Sequence, residues 1–185
     1  VETAQYLRDR GREFYLEIIG GGAMEEQIRE MIRTRQLEKY VSLPGFLKPE
    51  EVRDRMERAD VYLITSDRQE GWGAVANEAM NSGCVVVADH MIGAAPYLIR
   101  HGENGMLFRD GDAAMLFTTV DALLEDPKRR KALGRMAFET IWKTWNAENA
   151  AARLCGLVEE LTGSEDGGRK GRKRCEGRPV GSGTM

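Results

Sequence analysis

Residues 60–89 read DVYLITSDRQEGWGAVANEAMNSGCVVVAD, and this stretch decides the fold. It holds a short apolar run at 60–65, a polar loop, a helical segment from about 73 to 81, and a β-branched run at 84–88. Short apolar runs bounded by polar and glycine residues are typical of buried strands. Two such strands with a helix between them predict a crossover connection, in which the strands run parallel.

The same alternation continues on both sides of this stretch. Further strands are expected at 14–20, 41–46 and 105–108. Further helices are expected at about 2–11, 23–37, 48–59, 96–99, 112–125, 128–143 and 146–161. This order predicts an α/β fold with a doubly wound, Rossmann-like parallel sheet. Ligands of such sheets bind where the strands end, which directs attention to residues 20–22 and 66–78.

Composition places the chain among soluble globular domains. Its 185 residues are 42% hydrophobic and 31% charged, and no apolar run approaches the roughly 18 to 20 residues of a membrane-spanning helix. Three cysteines lie far apart and in no C-x-x-C pair, so neither a disulfide framework nor a zinc site is indicated. We therefore expect a cytoplasmic protein. The first residue is Val1 and not methionine, which suggests a piece of a longer protein.

Charge is distributed unevenly along the chain. The formal net charge is −3, but residues 164–185 carry six basic and three acidic side chains. This basic tail has almost no large apolar residue and is expected to be disordered. Residues 1–163 form the expected domain, and their net acidity gives no indication of a nucleic-acid partner.

A triple glycine, Gly20–Gly22, follows the strand expected at 14–20, where a phosphate-binding loop would lie. Gly20 and Gly22 supply G-x-G, but Glu25 stands where a third glycine would complete the motif. A tight turn is the favoured interpretation. Close approach of this backbone to a ligand is the alternative.

The strongest local signal is the segment that opens the helix at about 73–81. Gly71, Trp72, Gly73 and Ala74 include no Ser, Thr, Asp or Asn, so the first amides of the helix lack a side-chain acceptor. A phosphate would supply that acceptor, and the glycines would let it approach the helix N-terminus.

Two carboxylates, Glu70 and Glu78, frame this segment. On one helix they would lie about 12 Å apart, but a loop before Gly73 can fold Glu70 back across the helix end. Carboxylates repel phosphate, so sugar hydroxyls are their sensible partners. The pattern therefore favours a nucleotide ligand that has a sugar on each side of its phosphate groups. The alternative, in which Glu70 complements the helix dipole and Glu78 is a solvated charge, fits the spacing equally well.

These residues resemble a known family. Glu70, seven intervening residues and Glu78, followed by Ala79-Met80, Gly83 and an apolar strand, are similar to the E-x7-E signature of retaining GT-B glycosyltransferases of family 4. The resemblance covers nearly all of residues 1–163. It extends to the glycine turn at 20–22, the V-x-x-x-G-F segment at 41–46, the A-D pair at 59–60, the G-x-x-G turn at 102–105 and Trp145.

The resemblance implies that residues 1–163 are the nucleotide-sugar-binding, carboxyl-terminal half of such an enzyme. By carry-over, Glu70 is the catalytic residue that holds the transferred sugar, and Glu78 holds the ribose. Amides of residues 72–74 would hold the diphosphate, and the base would lie near residues 45–47. The implied substrate-binding residues are Gly21, Gly22, Gly45, Phe46, Leu47, Gly71, Trp72, Gly73, Ala74, Val75 and Glu78. The donor would be a UDP- or GDP-sugar, and no metal or other cofactor is implied.

The resemblance also implies segments of the family fold that do not occur in residues 1–163. An amino-terminal acceptor-binding domain would be the partner of this half and would make any peripheral contact with the inner membrane face. The family's first strand, followed by an arginine and a lysine, should precede the first helix. Arg8, Arg10 and Arg12 are expected on or after that helix rather than as substitutes. Because the first strand is normally central, residues 14–19 should either pair with the strand at 84–88 or leave a gap with exposed apolar surface.

Four places depart from the family pattern. Trp72 replaces the usual phenylalanine, and Cys84-Val85 lacks the common proline. Asn77 takes a position that is usually apolar, and Tyr97 stands where a glutamate often follows the proline. The implied function is a hexosyltransferase for cell-surface polysaccharide or glycolipid synthesis, inactive as this isolated half. Two alternatives stay open, a non-catalytic Rossmann-like interaction module and a sugar-nucleotide epimerase of the same architecture.

Overall fold

A computed structural model describes residues 1–66 and 69–162, and these residues alternate between strands and helices as expected. The strands are β1 (Leu16–Ile19), β2 (Val41–Gly45), β3 (Val61–Ile64), β4 (Val85–Asp89) and β5 (Met106–Phe108). The helices are α1 (Glu2–Asp9), α2 (Glu25–Thr34), α3 (Pro49–Arg58), α4 (Val75–Asn81), α5 (Ala95–Leu98), α6 (Ala113–Glu125), α7 (Pro127–Lys143) and α8 (Ala147–Thr162). The basic tail expected at 164–185 lies outside the described residues.

The strands form two parallel sheets that are not hydrogen-bonded to each other. β1 pairs with β2, and β3, β4 and β5 pair in that order. Within the described ranges, no strand lies between β1 and β3. The prediction of a gap in the sheet is therefore confirmed. The strand that faces β1 across the gap is β3, however, because β4 is already paired on both sides; pairing of residues 14–19 with 84–88 was the wrong alternative.

Strand β4 lies at the centre of the core, and all five of its residues are buried. Val85 and Val87 pack with α6 and α7 on one side of the sheet, whereas Val86 and Ala88 pack with α3, α4 and α5 on the other. This alternation is the two-sided burial that a parallel sheet between helical layers requires. Full burial of each valine stabilises the fold by about 1.5–3 kcal/mol.

Helix α1 connects the two sheets. It contributes Ala4 to a cluster with Ile32 and Val41 around the β1–β2 sheet. One turn later it contributes Leu7 to the cluster around β4 and α6. The two sheets are thus held in one body by helix packing rather than by a continuous hydrogen-bond ladder.

Arg8 lies on α1, and Arg10 and Arg12 follow it, as expected; Arg10 and Arg12 form ion pairs with α6. The Arg10 Nε lies 2.9 Å from Asp121 Oδ2 on α6, and the Arg12 guanidinium bonds both Asp121 and Glu125. The hydrogen bond from Arg12 lowers the pKa of Asp121; burial opposes this effect and the charges of both arginines add to it. These arginines therefore fasten α1 to α6.

Candidate functional site

The glycine turn and the end of β2 form the first part of the site. The Gly20 amide donates to the Gly45 carbonyl at 2.8 Å, and both glycines have positive φ angles, +118° and +78°. Phe46 is 83% exposed. Its ring covers Gly21, since a Cβ added there would lie 2.9 Å from Phe46 Cε2. The backbone of Gly21 thus forms the floor beneath an exposed aromatic ring, and Gly22 lines an adjacent pocket of about 300 Å³.

The loop that precedes α4 is anchored through its backbone. The Gly93 amide donates to the Gly71 carbonyl at 3.1 Å, and the Ala94 amide donates to the Trp72 carbonyl at 2.8 Å. A Cβ added to Gly93 would lie 2.1 Å from the Gly71 oxygen. Only glycine allows the two backbone segments to approach this closely. Gly93 therefore determines how the loop before α4 packs against residues 93–94.

Glu70 lies against Gly73, at the start of α4. The φ angle of Gly73 is +74°, and a Cβ added there would lie 3.5 Å from Glu70 Cγ and 2.9 Å from Ile92 Cγ2. The loop therefore folds Glu70 back over the helix end, in the manner the sequence allowed. The Glu70 side chain is exposed, which leaves it accessible to a ligand.

Helix α4 begins at Val75, later than the expected Gly73, because the left-handed conformation of Gly73 cannot continue a right-handed helix. The N-cap residue Ala74 offers no side-chain acceptor. Among residues 1–66 and 69–162, no backbone or side-chain acceptor bonds the amides of Trp72, Gly73 or Ala74. By contrast, Asp112 and Asp126 cap α6 and α7 with their side chains. The start of α4 thus presents unpaired donors, unlike the starts of α6 and α7.

Trp72 contacts two of the other residues that depart from the family pattern, Asn77 and Tyr97. The Trp72 indole N–H donates to Asn77 Oδ1 at 2.9 Å. The Trp72 ring centroid lies 5.7 Å from that of Tyr97 and 5.8 Å from that of Trp145. Sequence analysis singled out these positions separately and missed the cluster they form. The signal that could have revealed it is that Trp72 and Asn77 depart from the pattern together. A polar residue on α4 is explained because the loop carries an indole donor.

Glu78 and Val75 face a large cavity of about 1320 Å³ that lies between the two sheets. The same cavity is lined by Gly20, Phe46 and Leu47. Burial raises the pKa of the nearby Tyr62 phenol, and the negative charge of Glu78 raises it further. The structure therefore brings Val75 and Glu78 to the same cavity as the end of β2.

The residues of the loop form a separate wall. Glu70 and residues 71–74 do not line the cavity between the sheets, although residues 74 and 75 join the two regions at the start of α4. The candidate site is consequently a surface around the first turn of α4. Glu70 lies on its loop side, and Glu78 lies on its cavity side.

Other reactive side chains lie outside this surface. Cys84 is buried with its Sγ 3.0 Å from the Met56 carbonyl, and burial together with the charge of Asp60 raises its pKa to about 11. It is therefore a packing residue and not a nucleophile. His90 Nδ1 lies 3.3 Å from the Phe108 carbonyl. No helix within the described ranges is long and apolar enough to span a bilayer.

Comparison with known proteins identifies the family. The profile of the glycosyl transferases group 1 family matches residues 1–140. The chain belongs to that family. Over 166 residues it is 35% identical to the amylovoran biosynthesis glycosyltransferase AmsK of Erwinia amylovora, covering 87% of this chain and 40% of the relative. The chain thus spans less than half the length of this curated relative.

Solved structures show the same fold. The Anabaena protein Alr3699/HepE in complex with UDP superposes with a TM-score of 0.71 at 22% identity, covering 85% of this chain and 44% of that one. The C-terminal domain of a glycosyl transferase group 1 protein, LpcC from Francisella tularensis, superposes with a TM-score of 0.65 at 18% identity. It covers 78% of this chain and 93% of that domain. The fold is therefore that of the Rossmann-like, carboxyl-terminal domains of GT-B glycosyltransferases.

Proposed function

We propose that residues 1–163 are the donor-binding half of a retaining glycosyltransferase of family 4, which takes a UDP- or GDP-sugar and serves cell-surface polysaccharide or glycolipid synthesis. The observation that carries this proposal is the start of α4, where unpaired amides lie between two exposed carboxylates. Membership of the glycosyl transferases group 1 family supports the same assignment.

Each part of the site has chemistry suited to one part of the donor. The amides of residues 72–74 suit the diphosphate, because a helix N-terminus carries about half a positive charge and offers several N–H groups at once. Exposed Phe46, above Gly21, offers a flat surface to the base. Glu78, on the cavity side of α4, suits the ribose hydroxyls, and Glu70 suits the hydroxyls of the transferred sugar.

The proposed mechanism is electrostatic. When the bond between the sugar and the diphosphate breaks, negative charge develops on the departing diphosphate, and preorganised amides stabilise it without a cost of reorganisation. Gly93 contributes by holding the loop that carries these amides. No metal ion or other cofactor is part of the proposal, and transfer that continues in the presence of a chelator would support this point.

Isothermal titration with UDP and with a UDP-sugar tests the assignment residue by residue, and the GDP pair is run in parallel. Replacement of Glu78 by Gln should weaken both ligands at least tenfold, about 1.4 kcal/mol, because both carry the ribose. Replacement of Glu70 by Gln should weaken only the UDP-sugar. Glu38→Gln is the matched control, because Glu38 is an exposed carboxylate before β2, at the opposite end of the strands. Unchanged nucleotide affinity in Glu78→Gln would contradict the proposal.

An assay of nucleoside diphosphate release separates transfer from the alternatives. Release that requires an acceptor supports a transferase, whereas release without one supports an epimerase or hydrolase. The absence of nucleotide binding in any form of the protein would favour a non-catalytic interaction module. We propose that transfer requires an amino-terminal acceptor-binding domain, that this half alone is inactive, and that any contact with a membrane surface is made through that domain.

A further inference from the structure

The Trp72 side chain is held by aromatic rings from two other parts of the fold. Its ring centroid lies 5.7 Å from that of Tyr97, on α5, and 5.8 Å from that of Trp145, in the connection between α7 and α8. The interplanar angles are 33° and 43°. Tilted rings at centroid separations of about 4.5–7 Å are a favourable arrangement of aromatic pairs. We call the rings of Tyr97 and Trp145 the aromatic support of the loop before α4.

The aromatic support is itself fixed to the core. Helix α5 buries Ala95 and Leu98 among the residues around β4. Trp145 is partly buried and packs against the same core cluster, and its amide donates to the Thr140 carbonyl of α7 at 3.2 Å. Trp72, by contrast, is 41% exposed. The two rings therefore restrain the indole rather than the reverse.

Backbone hydrogen bonds fix the direction of two amides in the loop. The carbonyls of Gly71 and Trp72 accept from the amides of Gly93 and Ala94, at 3.1 and 2.8 Å. In a planar trans peptide the C=O and N–H groups point in opposite directions. The N–H groups of Trp72 and Gly73 share peptides with these carbonyls, so both are directed away from residues 93–94. Successive N–H groups directed to one side form an anion-binding concavity.

The α-carbon of Trp72 joins these two peptides. Rotation about its backbone bonds would turn the amides of Trp72 and Gly73 away from each other, so the anion site depends on holding this residue still. Its indole N–H is held by Asn77 at 2.9 Å, and its ring is held by the aromatic support. The side chain of Trp72 is therefore an anchor of the loop, in addition to the two backbone hydrogen bonds.

We propose that Tyr97 and Trp145 are positioning residues of the donor site, which hold the Trp72 indole and, through it, the amides of Trp72 and Gly73 in the arrangement that binds a diphosphate. This inference rests on the proposed function, because it concerns the same donor. Neither residue touches the ligand. Their effect is preorganisation: a loop that is already ordered loses less affinity to the cost of ordering when the nucleotide binds.

Titration calorimetry with UDP and with GDP, on the full chain of 185 residues, tests this role. Tyr97→Leu and Trp145→Leu remove a ring but keep an apolar side chain, and each should weaken the nucleotide that the wild type binds by about fivefold or more. Tyr97→Phe and Trp145→Phe keep a ring and should stay within about twofold of the wild type. Trp142→Leu is the matched control, because Trp142 is 69% exposed and stacks on Phe138 rather than on Trp72.

A double-mutant cycle separates positioning from a general role in stability. If the aromatic support acts through the indole, removal of the indole removes its effect. In the Trp72→Ala background, Tyr97→Leu and Trp145→Leu should therefore weaken the nucleotide by less than about a further twofold. Thermal unfolding shows that each variant is folded. Because Tyr97 and Trp145 are tested separately, the result at one position decides the matter where the leucine variant at the other does not fold.

Three outcomes would contradict the inference. Leucine variants that bind as tightly as a wild type that does bind would overturn it and leave the proposed function intact. Equal losses in the wild-type and Trp72→Ala backgrounds would overturn it too, because the rings would then act on stability and not through the indole. A wild type that binds neither UDP nor GDP would instead overturn the proposed function, and this inference with it.

Discussion

The indole of Trp72, in the loop before α4, donates a hydrogen bond to the Asn77 side chain on α4 at 2.9 Å. Both residues depart from the family pattern, and each departure gives the other its partner. An indole has one donor, and the amide oxygen of Asn77 is its acceptor. The pair therefore links the loop that presents the amides of residues 72–74 to the helix that carries Glu78.

A double-mutant cycle measures this link. Trp72→Phe removes the donor, Asn77→Leu removes the acceptor, and the double variant restores the residue types usual in the family. Each single variant should lower the free energy of unfolding, with a coupling energy of about 0.5–1.5 kcal/mol between them. Urea denaturation of the four proteins measures it. Additive effects of the two substitutions would show that the hydrogen bond does not contribute to stability.

Individual strands and helices could be predicted because the apolar pattern that indicates each of them lies within its own few residues. The run Cys84–Ala88 is apolar at every position, and the structure buries β4 on both faces. The gap beside β1 was predictable too, since the strand order of a doubly wound sheet places its first strand centrally. Contacts between distant residues were not: Arg12 bonds Asp121 across 109 positions, and no periodicity encodes that pairing.

Gly93 should be required for nucleotide binding although it is not among the residues assigned to the donor. A Cβ at this position would overlap the Gly71 oxygen at 2.1 Å, so Gly93→Ala must move the loop and break its two backbone hydrogen bonds. We expect at least a tenfold loss of UDP affinity by titration calorimetry, about 1.4 kcal/mol. Gly156→Ala, on the exposed helix α8 with no atom near the added Cβ, should retain wild-type affinity. Equal affinities in the two variants would contradict the role of Gly93.

Two helical glycines should respond oppositely to alanine. A Cβ at Gly134, on α7, would lie 2.3 Å from the Gly83 oxygen, so Gly134→Ala overpacks the contact between α7 and the end of α4. We expect a loss of about 1–3 kcal/mol in the free energy of unfolding. Gly156→Ala meets nothing within 4 Å and should stabilise α8 by about 0.5–1 kcal/mol through helix propensity. Urea denaturation measures the change in the free energy of unfolding for both variants. Stabilisation by Gly134→Ala would show that α7 is free to move away from Gly83.

Asp121 should make stability depend on pH in the acidic range. Its pKa in the folded protein is lowered, mainly by the hydrogen bond from Arg12, below the value of about 3.9 expected in the unfolded chain. A carboxylate with a lowered folded-state pKa contributes stability that is fully present above the unfolded-state pKa and is lost as the pH falls through the folded-state pKa. The contribution should therefore be complete at pH 6 and diminish below about pH 4.

The variant Asp121→Asn isolates this contribution. At pH 6 its thermal unfolding midpoint should fall below that of the wild type, because Arg10 and Arg12 lose their shared carboxylate. As the pH is lowered from 6 toward 2, the two midpoints should converge, since the wild-type carboxylate becomes protonated and the variant has no charge to lose. Asp54→Asn, at an exposed position of α3, is the matched control and should follow the wild type at every pH. A constant difference between the wild type and Asp121→Asn across this range would show that Asp121 acts through packing and not through its charge.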